Sequence, residues 1–454
     1  MGRSAKLWLV AILALCLLLR IALVFYHGDN EIRSDAAAFY QLACNIADGK
    51  GFSANDYKGE PQPSAHGYVI YPCFLAILLY LFDARLIEIG IAQAIIDTLS
   101  CLLVFFIACR FTRNGVRTGL LASFAYAIYP PFIFSTGTAM TETLNTFVMV
   151  ALAFVLVVAM RREWHYYVLA GLLMGFAILS RPALLAFPFM FALVLVLSRN
   201  WVKGWLTKAV VFVVCSYIAI SPWTIRNYIM LHKFVPVTTN FGMPFWGGTG
   251  PADGVCLGGP GYPVDTKERN LYNHPLIPDV SEKTYQKITS LQQRLAKMNE
   301  VDRDNALRKE AIKEIRANPG RYVMLVPRKF VRFWFNLWHD HPASTASIVV
   351  AVINAIIFVM AILGWRGQSV DVTYKSVTLA VVVYHTAIYS IIYSTVRFSY
   401  PVMPLIIILA AAFVGNSAMG GVKPIPKKQI SHFVRNDNVL QMGDDLQTAE
   451  KEDG

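Results

Sequence analysis

The chain has 454 residues, 56% of them hydrophobic and only 15% charged, with a mean hydropathy of +0.46. A soluble domain carries about 25% charged residues, and several apolar runs here approach the ~20 residues of a spanning helix, so the composition excludes a soluble globular protein. The balance of 41 Lys and Arg against 29 Asp and Glu gives a charge of +12. In a soluble chain that excess would suggest nucleic acid. Here much of it sits in short loops between apolar runs, where it sets membrane orientation, and nucleic acid is set aside as a partner.

The first apolar run, Leu7 to Tyr26, follows the basic residues Arg3 and Lys6 and lacks a small-residue cleavage site at its end. It reads as a retained span that starts in the cytoplasm, with Arg20 near its far end able to snorkel. The loop that follows, 27–85, is therefore outside. It holds Asp35, the aromatic pair Phe39-Tyr40, the helix-breaking Gly49 and Gly51, and His66.

The run Tyr68–Phe82 would make a helix of roughly 22 Å, short of the ~30 Å hydrocarbon core. If it lies along or dips into the outer leaflet, Leu86–Cys109 crosses inward and Arg110, Arg113 and Arg117 are cytoplasmic. Leu120–Ser135 then returns outward and Thr143–Met160 goes in, leaving Arg161 and Arg162 inside. Tyr166–Ser180 and Ala183–Leu197 form a hairpin around Arg181-Pro182, and Arg199, Lys203 and Lys208 again fall inside. Every basic loop then obeys the positive-inside rule. A crossing by Tyr68–Phe82 would invert them all, so the charge pattern predicts a non-crossing element.

Trp205–Pro222 exits, and a hydrophilic segment from Trp223 to Ala343 follows outside. It is rich in Gly and Pro up to Pro278, with one clear helix at about Asp302–Ala317, stopped by Asn318-Pro319-Gly320. Three spans close the chain: Ser347–Leu363, Tyr374–Tyr393 and about Ser399–Val414. The tail, 416–454, has Lys423, Lys427 and Lys428 near the membrane and an acidic end, and is expected to be disordered and cytoplasmic. The expected architecture is all-α and polytopic, with about ten crossings, a re-entrant or interfacial first outer loop and one larger extracytoplasmic segment. Its divisions are 1–222, 223–345, 346–415 and the tail.

This orientation gathers Asp35, His66, Glu142, Arg181, Arg226 and Arg397 on one face. Two carboxylates beside arginines suit a phosphate-bearing substrate, because arginine holds phosphate oxygens in two-pronged fashion and stays charged. A carboxylate with a pKa near 3.9 is ionised there and able to act as a base. Each residue also has a plainer role. Asp35 and Glu142 suit helix N-termini, Arg181-Pro182 a hairpin break, Arg226 an interfacial anchor beside Trp223 and Arg397 a snorkelling charge. Asp97, inside a span, is costly unless paired, and Arg20 is its candidate partner. Cys44 and Cys73 are able to pair outside the membrane. His339-Asp340-His341 has the look of a metal cluster, but spacing of two points alternate side chains apart and no third ligand stands out. No metal or other cofactor is indicated.

In order along the chain, SDAAAFYQLACNIADGKGFS, AHGYVIYPCFLA, YPPFIFSTGTAMTETLNTF, LSRPALLAFPF, SPWTIRNYIMLHKFVPVTTNFG and RFSYPVMPLIIILAA resemble the GT-C membrane glycosyltransferases. The closer likeness is to the bacterial branch related to protein O-mannosyltransferases and the lipid A aminoarabinose transferase, over residues 7–415. The resemblance implies an inverting transfer of a sugar from a polyprenyl-phosphate carrier at the outer face of a bacterial plasma membrane. The acceptor would be the hydroxyl of a glycolipid, glycan or protein. It implies catalytic roles for Asp35, as the family's first-loop acid, and for Glu142. It assigns substrate or phosphate contacts to Arg397 and, as a titratable substitute for a basic residue, His66; Arg181, Arg226 and Tyr40 complete the candidate set. The rival readings are a transporter or flippase of lipid-linked substrate, and a polymerase or ligase of whole glycans.

Overall fold

The computed structural model describes residues 2–28, 35–56, 59–249, 290–291, 293–337 and 345–417. Those up to Gly415 belong to one compact unit; a second unit, Asn416–Gly454, is described only at 416 and 417. The helices are α1 (Arg3–His27), α2 (Asp35–Ala47), α3 (Ile70–Phe82), α4 (Leu86–Phe111), α5 (Gly115–Ile128), α6 (Pro130–Thr136), α7 (Glu142–Ala159), α8 (His165–Ser180), α9 (Phe187–Leu197), α10 (Trp205–Leu231), α11 (Gly242–Gly247), α12 (Glu300–Ala317), α13 (Pro319–Phe335), α14 (Thr345–Arg366), α15 (Val372–Ile391) and α16 (Met403–Ser417). The architecture is helical and polytopic.

Five described helices are long and apolar enough to cross a membrane: α1, α4, α7, α10 and α14. The pair α5 and α6, bent by 55°, makes a sixth if counted as one span. The bend interrupts the run expected to be continuous from Leu120 to Ser135. Its cause is Pro130-Pro131, which pushes Tyr129 out of helical geometry and opens a new helix with proline in its first turn.

Two ends of the bundle are defined by contacts between distant loops. At one end the Arg113 amide donates to the Ser369 carbonyl (2.7 Å), the Asp371 amide to the Phe111 carbonyl (2.9 Å), and Thr112 forms a β-bridge with Val370. Arg161 pairs with Asp371 there as well. At the other end Arg397 meets Asp35 and Glu142. The predicted sorting of Arg113 and Arg161 from Asp35, Glu142 and Arg397 is therefore reproduced.

The same contacts show that α3 does not cross. The Val69 amide, just before it, donates to the Leu179 carbonyl at the Asp35 end. After it, α4 begins against α1, where a Cβ on Gly90 would meet the Val24 side chain at 2.7 Å. Entry and exit lie at one end, and α3 instead packs on α2 around Phe39, Ala43, Tyr71 and Leu75. By contrast, α8 runs from beside Arg161 to Arg181, so the first arm of the hairpin passes from end to end despite its 16 residues.

Three expectations are corrected. α10 does not stop at Pro222 but continues to Leu231. Proline brings no amide to the Ile218 carbonyl, and the Ser221 hydroxyl donates to that carbonyl instead at 2.8 Å. The Asn318-Pro319 stop does end α12, yet Pro319 occupies the first turn of a second helix, α13, where its missing amide costs nothing. Arg20 does not snorkel: it is wholly buried and donates from Nε to Asp97 at 2.6 Å. Cys44 and Cys73 are free thiols. The His339-Asp340-His341 cluster and the tail lie outside the described residues. Among the described residues no three His, Cys, Asp or Glu side chains come together as a metal-holding group.

Candidate active site

Asp35 opens α2, and the helix carries it at one end while its apolar face, Phe39, Leu42 and Ala43, docks inward. The helix ends in a tight reversal in which the Lys50 amide returns to the Asn45 carbonyl at 2.8 Å and Gly49 takes φ +76°, a left-handed position that glycine adopts without strain. A short hairpin follows, Ser53–Asn55 pairing with Pro61–Pro63. Asn45 braces it with amide bonds to the Ser53 carbonyl and the Asn55 side chain, both 2.8 Å.

Arg226 locks this loop to the bundle. It donates to the Ser64 and Phe52 carbonyls, each at 2.6 Å, and its guanidinium lies 4.9 Å from the Trp223 ring. With a further bond to the Asn227 side-chain oxygen (3.2 Å), its donors go to backbone and amide rather than to the carboxylates. Glu300 of α12 completes the fastening, accepting from the Ser64 hydroxyl (2.7 Å) and the Ala65 amide (2.8 Å).

The centre of the cluster is Arg397, on a short 3₁₀ turn, Val396–Ser399, between α15 and α16. Its Nη2 donates to Asp35 Oδ2 at 2.6 Å, and its Nε lies 3.7 Å from Glu142 Oε1, an ion-pair distance beyond hydrogen bonding. Burial alone would lower the Arg397 pKa, but Glu142 and Asp35 outweigh it and raise the value. The Asp35 side chain is 51% exposed, so its carboxylate is reachable, whereas Glu142 is buried.

Arg181 joins this cluster beside a shared aromatic ring. Phe398 has the Arg181 guanidinium 4.5 Å from its centre and that of Arg397 at 5.6 Å. Arg181 is only 4% exposed and donates from Nε to the Tyr389 hydroxyl at 2.7 Å. Its Nη1 and Nη2 have no partner, nor do Glu142 Oε2 and Asn145 Nδ2. Glu142 is close enough to act on the Arg181 charge, and Asn145 is tied to this spot through its hydrogen bond from Ser180, the neighbour of Arg181. Buried polar atoms are nearly always bonded, so four orphans from three neighbouring residues mark a place built for something else.

His66 is exposed to solvent. Desolvation is the main cause that lowers its pKa. Arg303 adds to the lowering, and Glu300, Asp304 and Asp35 oppose it. The lowering favours the neutral imidazole. Tyr40 packs partly buried against the α2–α3 core and makes no contact with the ion-pair cluster. Tyr68 is the aromatic that reaches the site, stacked on Phe39 and 5.5 Å from the Arg181 guanidinium. Tyr68, Tyr389 and Phe398 were missed because single aromatics among many in apolar runs carry no spacing signal.

Comparison with known proteins adds a family match over part of the chain and a likeness of fold. Residues 66–225 match the family of dolichyl-phosphate-mannose-protein mannosyltransferases. Among solved structures the chain is similar to the oligosaccharyltransferase of Archaeoglobus fulgidus tethered to an acceptor peptide containing the NVT sequon, at 13% identity and a TM-score of 0.52, covering 90% of this chain and 49% of that one. It also matches ArnT from Cupriavidus metallidurans bound to undecaprenyl phosphate, at 13% identity and a TM-score of 0.39, covering 90% and 78%. No curated protein matches the chain. The chain spans about half the length of the archaeal enzyme, and over that part it shares its fold.

Proposed function

We propose that this chain is an inverting glycosyltransferase that takes a sugar from a polyprenyl-phosphate carrier and places it on a hydroxyl acceptor. The observation that carries the reading is the Asp35–Arg397–Glu142 cluster with the free edge of Arg181 beside it, at one end of an apolar bundle. The family match over residues 66–225 supports the same chemistry. Asp35 takes the acceptor's proton. The acceptor oxygen bonds to the anomeric carbon from the face opposite the phosphate, and the carbon–oxygen bond to phosphate breaks with its electron pair going to the phosphate oxygen. General-base help of this kind contributes typically 10²–10⁴-fold. Arginine N–H groups stabilise the charge that grows on the departing phosphate. Arg397 neutralises Glu142, which otherwise would repel that charge.

The site end faces outside and the Arg113 end the cytoplasm, on the positive-inside rule. Within the segment 223–345, α12 grips the first loop through Glu300 and helps select the acceptor. The transporter reading has less support, because the candidate charges gather at one end rather than at mid-bundle. The deciding experiment is transfer of a labelled sugar from polyprenyl-phosphate donors by the purified protein in nanodiscs, offered hydroxyl acceptors of each class. Transfer with inversion at the anomeric carbon is expected. Facilitated movement of lipid-linked substrate across vesicles without any transfer would sink the proposal.

A further inference from the structure

Arg181 has one hydrogen bond where its guanidinium has five N–H groups to offer. That bond, from Nε to Tyr389 Oη, uses the side nearest the chain. Three rings surround the charge: Tyr68 and Tyr389 at 5.5 Å and Phe398 at 4.5 Å. What remains is the outer edge, Nη1 and Nη2, buried and without partners. This is the edge that meets two oxygens of a phosphate in parallel. Arg397, in contrast, already serves two carboxylates.

Tyr389 is itself rigidly held. It lies 6% exposed, stacked on Phe333 of α13 with ring centres 5.5 Å apart and planes 20° from parallel, and against Phe398 at 4.8 Å. Its hydroxyl therefore has little freedom, and it fixes which edge of Arg181 is occupied.

We infer that Tyr389 is a positioning residue: by accepting the hydrogen bond from Arg181 Nε–H it turns the Nη1–Nη2 edge toward the leaving phosphate of the donor. This rests on the transferase reading above. Without the hydroxyl, the guanidinium can pivot so that Nε or one Nη is spent elsewhere, and the two-pronged contact is lost while the charge stays.

The test compares binding of a polyprenyl phosphate with the matching polyprenol, in nanodiscs, for wild type, Tyr389→Phe, Arg181→Lys and the double variant. The readout is the affinity ratio of phosphate over alcohol, which a merely structural tyrosine leaves alone. Wild type is expected to favour the phosphate. Tyr389→Phe keeps the ring and its stacking, and is expected to cut the ratio about tenfold, the effect of one hydrogen bond to a charged group. Polyprenol affinity and thermal midpoint should stay as in wild type. Arg181→Lys should cut the ratio similarly, and the double variant should add nothing, because the tyrosine acts through the arginine. An unchanged ratio in Tyr389→Phe overturns the inference, as do additive losses in the double variant. If Tyr389→Phe does not fold, the ratio in Arg181→Lys decides, and a wild-type value there overturns the inference. A wild-type protein with no preference for phosphate would bring down the transferase reading itself.

Discussion

Arg20 and Arg181 are both buried among the apolar helices, and their surroundings differ in kind. Arg20 donates from Nε to Asp97 (2.6 Å), from Nη1 to the Ala127 and Cys16 carbonyls (2.6 and 3.3 Å) and from Nη2 to the Tyr126 carbonyl (3.4 Å). Asp97 also accepts from the Tyr126 hydroxyl at 2.5 Å. Every nitrogen of that guanidinium and both carboxylate oxygens are matched. Arg181 is buried too, but its two Nη atoms are unmatched, and orphaned atoms of Glu142 and Asn145 lie near it. The first network is closed and holds α1, α4 and α5 in register. The second is open, and an open polar network inside protein is costly unless a ligand completes it. Burial and charge are common to both; satisfaction separates structure from function.

The sharpest way to break this comparison is at Asp35. Asp35→Asn keeps the size and the hydrogen-bond acceptor but cannot usefully take a proton near neutral pH. Sugar transfer should fall by roughly 10²–10⁴-fold, with thermal midpoint and donor binding held within a few-fold. Had Asp35 been only a helix cap, asparagine would serve almost as well, since the two rank alike at that position. Turnover within a few-fold of wild type, measured with labelled donor, would remove Asp35 as the base.

The closed network should respond in the opposite way. Asp97→Ala leaves Arg20 buried and unpaired, which costs roughly 3–5 kcal/mol, read as an earlier unfolding transition of the purified protein. Any lost transfer should track the lost fold. Arg20→Met with Asp97→Leu removes both charges and should recover most of the stability. A double variant no more stable than the single one would mean that the pair does more than satisfy itself.

A smaller effect is expected at the bridge between carboxylates. Arg397→Ala should lower kcat/KM by about 10²–10³-fold, the usual result of removing one donor from a developing oxyanion. Arg397→Lys should recover only part of that loss, because lysine keeps the charge without the planar fork. Donor affinity and turnover unchanged in the alanine variant would place Arg397 outside the chemistry and leave it as a tether for α2.

Much of this could be read from the chain. Charge parity alone ordered the loops Arg113, Arg161 and Asp35 into two ends, and demanded that Tyr68–Phe82 not cross, because lysine and arginine obey a simple sidedness rule. The Asp97–Arg20 pair followed from the cost of an unpaired charge. Helix ends were less legible. Pro222 looks like a stop, but a neighbouring serine hydroxyl takes over the freed carbonyl, which local composition does not reveal. In the site, Asp35, Glu142, Arg181 and Arg397 were visible as ionisable residues at span boundaries. Arg226 looked the same and turned out to bind backbone, since sequence shows charge but not what it touches. Tyr389, near the end of an apolar run, carried no signal at all.

The smallest effect concerns His66. Its pKa is lowered, chiefly by desolvation, so folding favours the neutral ring. The stability this contributes is present above the unfolded value, about 6.5, and is lost as pH falls through the lower folded value. Carbethoxylation reports the neutral imidazole directly, and His66 is open to solvent. Its modification, followed by mass spectrometry across pH 4.5–8, should therefore persist below pH 6.5, where a free histidine is half protonated. Asp35→Asn removes one of the charges that favour the imidazolium and should move the midpoint lower still, by a small amount because Glu300 and Asp304 remain. A midpoint at or above 6.5 in wild type would mean that the ring is held as a cation beside Asp35, and would return His66 to the phosphate-binding role that its neutral form denies it.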